Sequence, residues 1–131
     1  IKINWGNPLV EKALALYLAK ESIKQKRWRV NFAELEKEVI FLVLYGSIVA
    51  SSRQANDVDI LGIAKKEKFV KIQELMDKIQ KTEGKKIHAI NFTLSEFREI
   101  LQNNNKTFID AIEKGVILFG QENFVKFMKN G

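Results

Sequence analysis

The chain has 131 residues, 46% of them hydrophobic and 29% charged, with a formal net charge of +6 from 22 basic and 16 acidic groups. This is the size and composition of one globular domain with a proper core, which excludes a disordered tail. No apolar run approaches the roughly 18–20 residues of a membrane span, and there is no cysteine for disulfides, thiolate metal sites or a thiol nucleophile. With no signal-peptide pattern at its start, the chain is expected to be cytoplasmic and to have no dealings with a membrane. Its start at Ile1 leaves open a missing N-terminal segment. The basic excess favours an anionic partner such as a nucleotide, nucleic acid or acidic protein, although lysine outnumbers arginine 18 to 4, a balance that also serves solubility.

In chain order, Asn7-Pro8 opens a helix, with Asn7 as cap and Pro8 suited to the first turn. Leu9, Ala13 and Leu16, and Val10, Leu14 and Tyr17, recur at helical spacing to about Lys26. The run Lys24 to Arg29 is a basic cluster around Trp28. Val39 to Tyr45 reads as a strand buried on both faces, ended by Gly46-Ser47. A helical turn and loop follow from Ile48 to Asn56, then a second strand over Asp57–Ala64. The stripe Phe69, Ile72, Leu75, Met76 and Ile79 predicts a helix from about Lys66 to Lys81, stopped by Gly84. A third strand is expected over Lys86–Phe92. Thr93-Leu-Ser-Glu96 has the form of a capping box opening a helix with Phe97, Ile100 and Leu101. Asn103 to Asn105 break it, and a second helix runs to Gly115. Val116–Phe119 is a short strand or extended piece before a last helix, Glu122–Lys129. The order predicts an α/β or α+β fold in a single domain, 1–131: a helical extension over 1–38, a core over 39–93 and C-terminal helices over 94–131.

Chemistry concentrates between Tyr45 and Ile60. Side chains alternate along a strand, so Asp57 and Asp59 project from one face, about 7 Å apart, while Val58 and Ile60 face the other way. Unaided, the two carboxylates repel. A hard cation such as Mg²⁺ removes the conflict, prefers oxygen ligands and keeps positions open for phosphate oxygens. Gly46 allows close approach of a phosphate to the backbone, and Ser47 offers a hydroxyl and an amide at the start of a helical turn. A plainer reading has both acids facing solvent and pairing with lysines. P-loop, Gly-x-Gly-x-x-Gly and zinc-finger patterns are absent, and the single histidine excludes a His-x-x-x-His zinc site.

The arrangement resembles the nucleotidyltransferase superfamily that includes DNA polymerase beta and the minimal nucleotidyltransferases. Its motif is a hydrophobic residue, Gly, Gly or Ser, nine to thirteen residues, then Asp, hydrophobic, Asp or Glu, hydrophobic. Tyr45-Gly46-Ser47 and Asp57-Val58-Asp59-Ile60 meet every position, and Glu113 to Gly120 is similar to the C-terminal part of small prokaryotic members. The resemblance implies a mixed sheet with flanking helices, phosphate contacts at Gly46 and Ser47, and Mg²⁺ or Mn²⁺ on Asp57 and Asp59. It also implies a third carboxylate on the next strand, where this chain has only His88 or Asn91. Glu96 and Glu99 are expected on a helix, poorly placed to replace it.

Two functions follow from the resemblance. One is metal-dependent transfer of a nucleoside monophosphate from a nucleoside triphosphate to a hydroxyl acceptor, including one on a protein, with a helical partner protein as in toxin–antitoxin modules. The other is a catalytically degenerate module that binds nucleotide or a partner as a regulator or antitoxin component. Nucleic-acid binding through Lys24–Arg29 ranks third, because no helix-turn-helix or basic aromatic sheet face is visible. His88 as an ordinary half-buried strand residue, Trp5 and Trp28 as packing residues, and Asp77 and Asp110 as surface residues are the simpler readings.

Overall fold

The computed structural model describes residues 4–103 and 105–130. Four strands, β1 (Phe41–Tyr45), β2 (Asp57–Ile63), β3 (Lys86–Phe92) and β4 (Val116–Phe119), form one sheet in the order β3-β2-β1-β4. β1 runs antiparallel to both β2 and β4, whereas β2 and β3 are parallel. A parallel pair needs a crossover, and α4 (Phe69–Thr82) supplies it, entered through a 3₁₀ turn at Lys66–Lys68. The expected α+β class, a mixed sheet flanked by helices, is what the chain adopts.

β1 sits in the middle and Phe41 to Leu44 are fully buried, as the unbroken apolar run predicts. Alternation divides the sheet into two faces. Phe41, Val43, Leu61, Ile63 and Ile117 pack with Phe97 of α5 (Leu94–Gln102), Ile112 of α6 (Lys106–Glu113) and Phe127 of α7 (Gln121–Asn130). On this face the Phe41 ring meets Phe97 at 5.8 Å and Phe124 at 5.2 Å, both edge to face. Leu42, Leu44, Val58 and Ile60 pack the other way, against Ile72, Leu75 and Met76 of α4 and against Trp28 and Phe32.

The N-terminal region departs from the predicted single helix through Lys26. α1 (Pro8–Ile23) stops short, and a second helix, α2 (Lys26–Asn31), leads into a 3₁₀ turn at Ala33–Leu35. The reason is tertiary anchoring. Ser22 is wholly buried and its hydroxyl donates to the Leu118 carbonyl of β4 at 2.9 Å, and Arg29 donates to that same carbonyl at 2.9 Å. Burial of Trp28 then needs a change of helix direction after Ile23. α1 packs on β4 and α7, yet Leu9, Leu16 and Tyr17 from its two apolar series remain 71%, 65% and 58% exposed.

The other boundaries agree closely with expectation. Asn7 accepts from the Leu9 amide at 3.0 Å, the Thr93–Glu96 capping box is formed, and Asn105 caps α6 through the Phe108 amide. Asn104, in the expected break, lies outside the described residues. Segment 94–131 contributes β4 to the sheet as well as helices. No helix among the described residues is long and apolar enough to cross a membrane.

Candidate functional site

β1 ends at Tyr45, and Gly46 turns the chain into the one-turn helix α3 (Ser47–Ala50). Gly46 has φ +80° and ψ −161°, a conformation in effect reserved for glycine. There is a second requirement for glycine here. A Cβ on residue 46 would collide with Oδ2 of Asp59 and lie 3.3 Å from its Cγ. The turn therefore makes room for the second carboxylate of the Asp-Val-Asp strand, a role that the bare motif does not reveal.

β2 carries both acids on the face that also bears Tyr45 and His88. Tyr45 pairs with Asp59 across β1 and β2, and His88 pairs with Asp59 across β2 and β3. Val58 and Ile60 are fully buried on the opposite face. Helices α5 to α7 cover this face over Leu61 and Ile63 but leave its Asp57 end open, where Asp57, Gly46 and Ser47 are exposed and Asp59 is half-buried. His88 Nε2 lies 3.5 Å from Asp57 Oδ2, with both side chains about half exposed, 51% and 54%. Asp59 has no salt-bridge partner among the described residues. Burial, and secondarily the negative charge of Asp59, push the Tyr45 hydroxyl above its ordinary pKa.

The loop before Asp57 is fixed at several points. Ala55 N–H donates to the Ser51 carbonyl at 3.0 Å, Lys85 donates through Nζ to the Ala55 carbonyl, and Lys86 N–H donates to the Asn56 carbonyl at 3.1 Å. The start of β3 is thereby tied to the start of β2, which sets the register that brings His88 beside the acids.

The two candidates for the third-acid position part company. His88 shares the acids' face. Asn91, three residues on, lies on the other face opposite Gly62, and its buried Oδ1 finds no hydrogen-bond partner. That oxygen would be 2.6 Å from any Cβ at position 62, so Gly62 is kept small by Asn91. Asn91 is excluded from the site because residues an odd number apart in a strand face opposite ways. Glu96 is committed elsewhere: it accepts from the Thr93 amide at 2.9 Å, and Thr93's backbone and side-chain hydrogen bonds hold it below the usual carboxylate range. Among the described residues no group of three or more His, Asp or Glu is arranged to hold a metal. What the site offers is two carboxylates, Asp57 beside the His88 imidazole and Asp59 without a salt-bridge partner among the described residues, both hard oxygen donors of the kind that Mg²⁺ or Mn²⁺ takes.

The basic cluster is largely occupied. Arg27 pairs with Glu83 at 2.7 Å and stacks 4.4 Å from the Trp28 ring centroid, Arg29 is bound to Ser22 and Leu118, and Lys24 pairs with Glu21 at 2.6 Å. Glu83 also accepts from Asn31 at 2.8 Å. Trp28 is a core residue, and Asp77 and Asp110 are on the surface. Glu83, the hub joining α2 to the end of α4, carries no local signal in the sequence, where its partners are 52 and 56 residues away. No family model matches this chain, and no curated protein or solved structure matches it.

Proposed function

We propose that this chain binds a nucleoside triphosphate with Mg²⁺ or Mn²⁺ at the open end of its sheet and transfers the nucleoside monophosphate to a hydroxyl acceptor. The observation that carries this reading is the meeting of two same-face carboxylates with an exposed Gly-Ser turn, in a segment that resembles the nucleotidyltransferase motif. Asp57 and Asp59 would hold the cation, which when bound screens the charge of the phosphates and makes the phosphorus more electrophilic. Ser47 donates from its hydroxyl to a phosphate oxygen, and the bare backbone at Gly46 lets the phosphate chain come close. His88, beside Asp57, accepts the proton of the attacking hydroxyl. The open, shallow site leaves the acceptor to a partner, a helical protein among them, and the setting is the cytoplasm.

A second reading is a nucleotide-binding regulator without turnover. His88 favours it, since on β3, where the resemblance implies a third carboxylate, the residue paired with Asp59 is a histidine.

Calorimetric titration of ATP and GTP with Mg²⁺ or Mn²⁺, alongside a pyrophosphate-release assay, tests both. Metal-dependent binding that is lost in the Asp57→Asn/Asp59→Asn variant, with pyrophosphate released, is the expected result. The same binding without release selects the regulator. No binding to either protein refutes the nucleotide site.

A further inference from the structure

The two edges of the sheet are treated differently. β4 is four residues long, lies under α1, and has its Leu118 carbonyl claimed by Ser22 and Arg29. β3, the opposite edge, is seven residues long, and among the described residues no strand lies beyond it. The hydrogen bonds show which of its groups face outward. Lys86 N–H reaches Asn56 and the Phe92 carbonyl accepts from Ala64, so even-numbered residues turn toward β2. Ile87 N–H turns away and is taken by the Gln80 side chain at 2.8 Å. Ala89 and Asn91, of the same parity, each present an N–H and a C=O to the open edge. Among the described residues no side chain bonds to these outward groups. Beside them Ile90 is 42% exposed on an edge strand, a combination that proteins ordinarily avoid unless the edge is paired.

We propose that this edge pairs with β3 of a second copy of this chain, antiparallel, with Ile90 facing Ile90 of the second copy across a two-fold axis. This inference does not depend on the nucleotide reading. A second copy is the occupant because the strand is complementary to itself in this register. Ala89 exchanges both of its backbone bonds with Asn91 of the second copy, and the symmetry repeats the exchange, giving a four-bond ladder. The ladder ends where it must: Ile87 falls opposite Thr93, whose amide is already bound to Glu96, and Ile87's own amide is bound to Gln80. Shifting the axis to Ala89 would set the blocked Ile87 amide against the Asn91 carbonyl and leave Ile90 facing His88. The Ile90 pair is of the non-hydrogen-bonded type, with the two Cα atoms about 4.5 Å apart, the closest approach in a sheet. The result is an eight-stranded sheet with the two acid-bearing faces on one side and the two Asp57 ends at opposite ends of the strands.

The absence of cysteine gives a direct test. A single I90C substitution places two thiols within disulfide range, whereas K126C, at an exposed position of α7 away from β3, does not. Mild oxidation of the full chain should convert I90C to a covalent dimer at least tenfold faster than K126C. Adding Ala89→Pro, which deletes an outward donor at a position where edge strands tolerate proline, should abolish the difference. Equal rates for I90C and K126C would overturn the proposal without reference to the proline variant. Undiminished cross-linking of a folded A89P/I90C chain would overturn it as well.

Discussion

Replacing Gly46 with alanine attacks the candidate site and the fold at one atom. The backbone at φ +80° and ψ −161° lies where only glycine is at ease, and a side chain held there costs about 1–3 kcal/mol. The new methyl also meets the Asp59 carboxylate, and driving that side chain off its rotamer adds about 1 kcal/mol. The total, about 2–4 kcal/mol, is a large share of a domain's stability and lowers Tm by roughly 10 °C. The two contributions separate in a double-mutant cycle with Asp59→Ala, followed by urea unfolding. Asp59 Cβ would be 3.5 Å from the new methyl, an ordinary contact, so in the alanine background G46A should cost only the backbone part. The coupling energy is then about 1 kcal/mol. A G46A cost below about 0.5 kcal/mol, the level of an inconsequential surface change, would refute the conformational argument. A cost identical in both backgrounds would refute the role of Asp59.

Two further predictions use titrations. In a Tyr17→Phe background, near-ultraviolet phenolate absorbance reports Tyr45 alone. Asp59→Asn should lower that titration part of the way toward the ordinary phenol value, because burial, the larger cause, remains; an unchanged or raised midpoint contradicts the pairing of Tyr45 with Asp59. Glu96 is held below its ordinary pKa by the Thr93 backbone and side-chain hydrogen bonds. The folded-state value is depressed, so its contribution is present above the unfolded-state pKa and lost as pH falls through the folded one. The Tm advantage of wild type over Glu96→Gln, read by thermal melts across a pH series, should therefore shrink on acidification; a gap that widens would reverse the sign.

The features legible in the sequence were local ones. The Thr93–Glu96 box, the Asn7-Pro8 start and the β1 run are specified by residues within a few positions of each other; the first two appear where the pattern put them, and β1 begins two residues later than its apolar run, at Phe41. The shared face of Asp57 and Asp59 follows from alternation, and the same parity rule separates His88 from Asn91 without any structure. What stayed hidden was set by distant groups. That Gly46 is shaped around Asp59 depends on the pairing of β1 with β2. The break between α1 and α2 follows from Ser22 and Arg29 finding a carbonyl 96 and 89 residues away. Exposure of the Leu9–Leu16 side of α1 could not be foreseen from periodicity, which shows that a helix has apolar positions but not how many of its sides a neighbour will cover.

The anchoring of α1 also bears on the order in which the structure can assemble. Its partners are β4 and α7, and its Glu11 pairs with Lys129, 118 residues along the chain. During synthesis α1 emerges before β4 and α7 and cannot dock on either until both have been made. β1, β2, α4 and β3 are contiguous, so a three-stranded sheet can form early, leaving the β4 side of β1 bare. Closing that side pairs Leu44 with Val116 from the far end of the sequence, and α1 must reach still further to cover it, contacts of the kind that slow folding. Final consolidation, when β4 slots in and α1 is clamped over it by Ser22 and Arg29, is thus a late, long-range step. Until then β1, whose Phe41 to Leu44 are fully buried in the finished fold, is protected on only one edge.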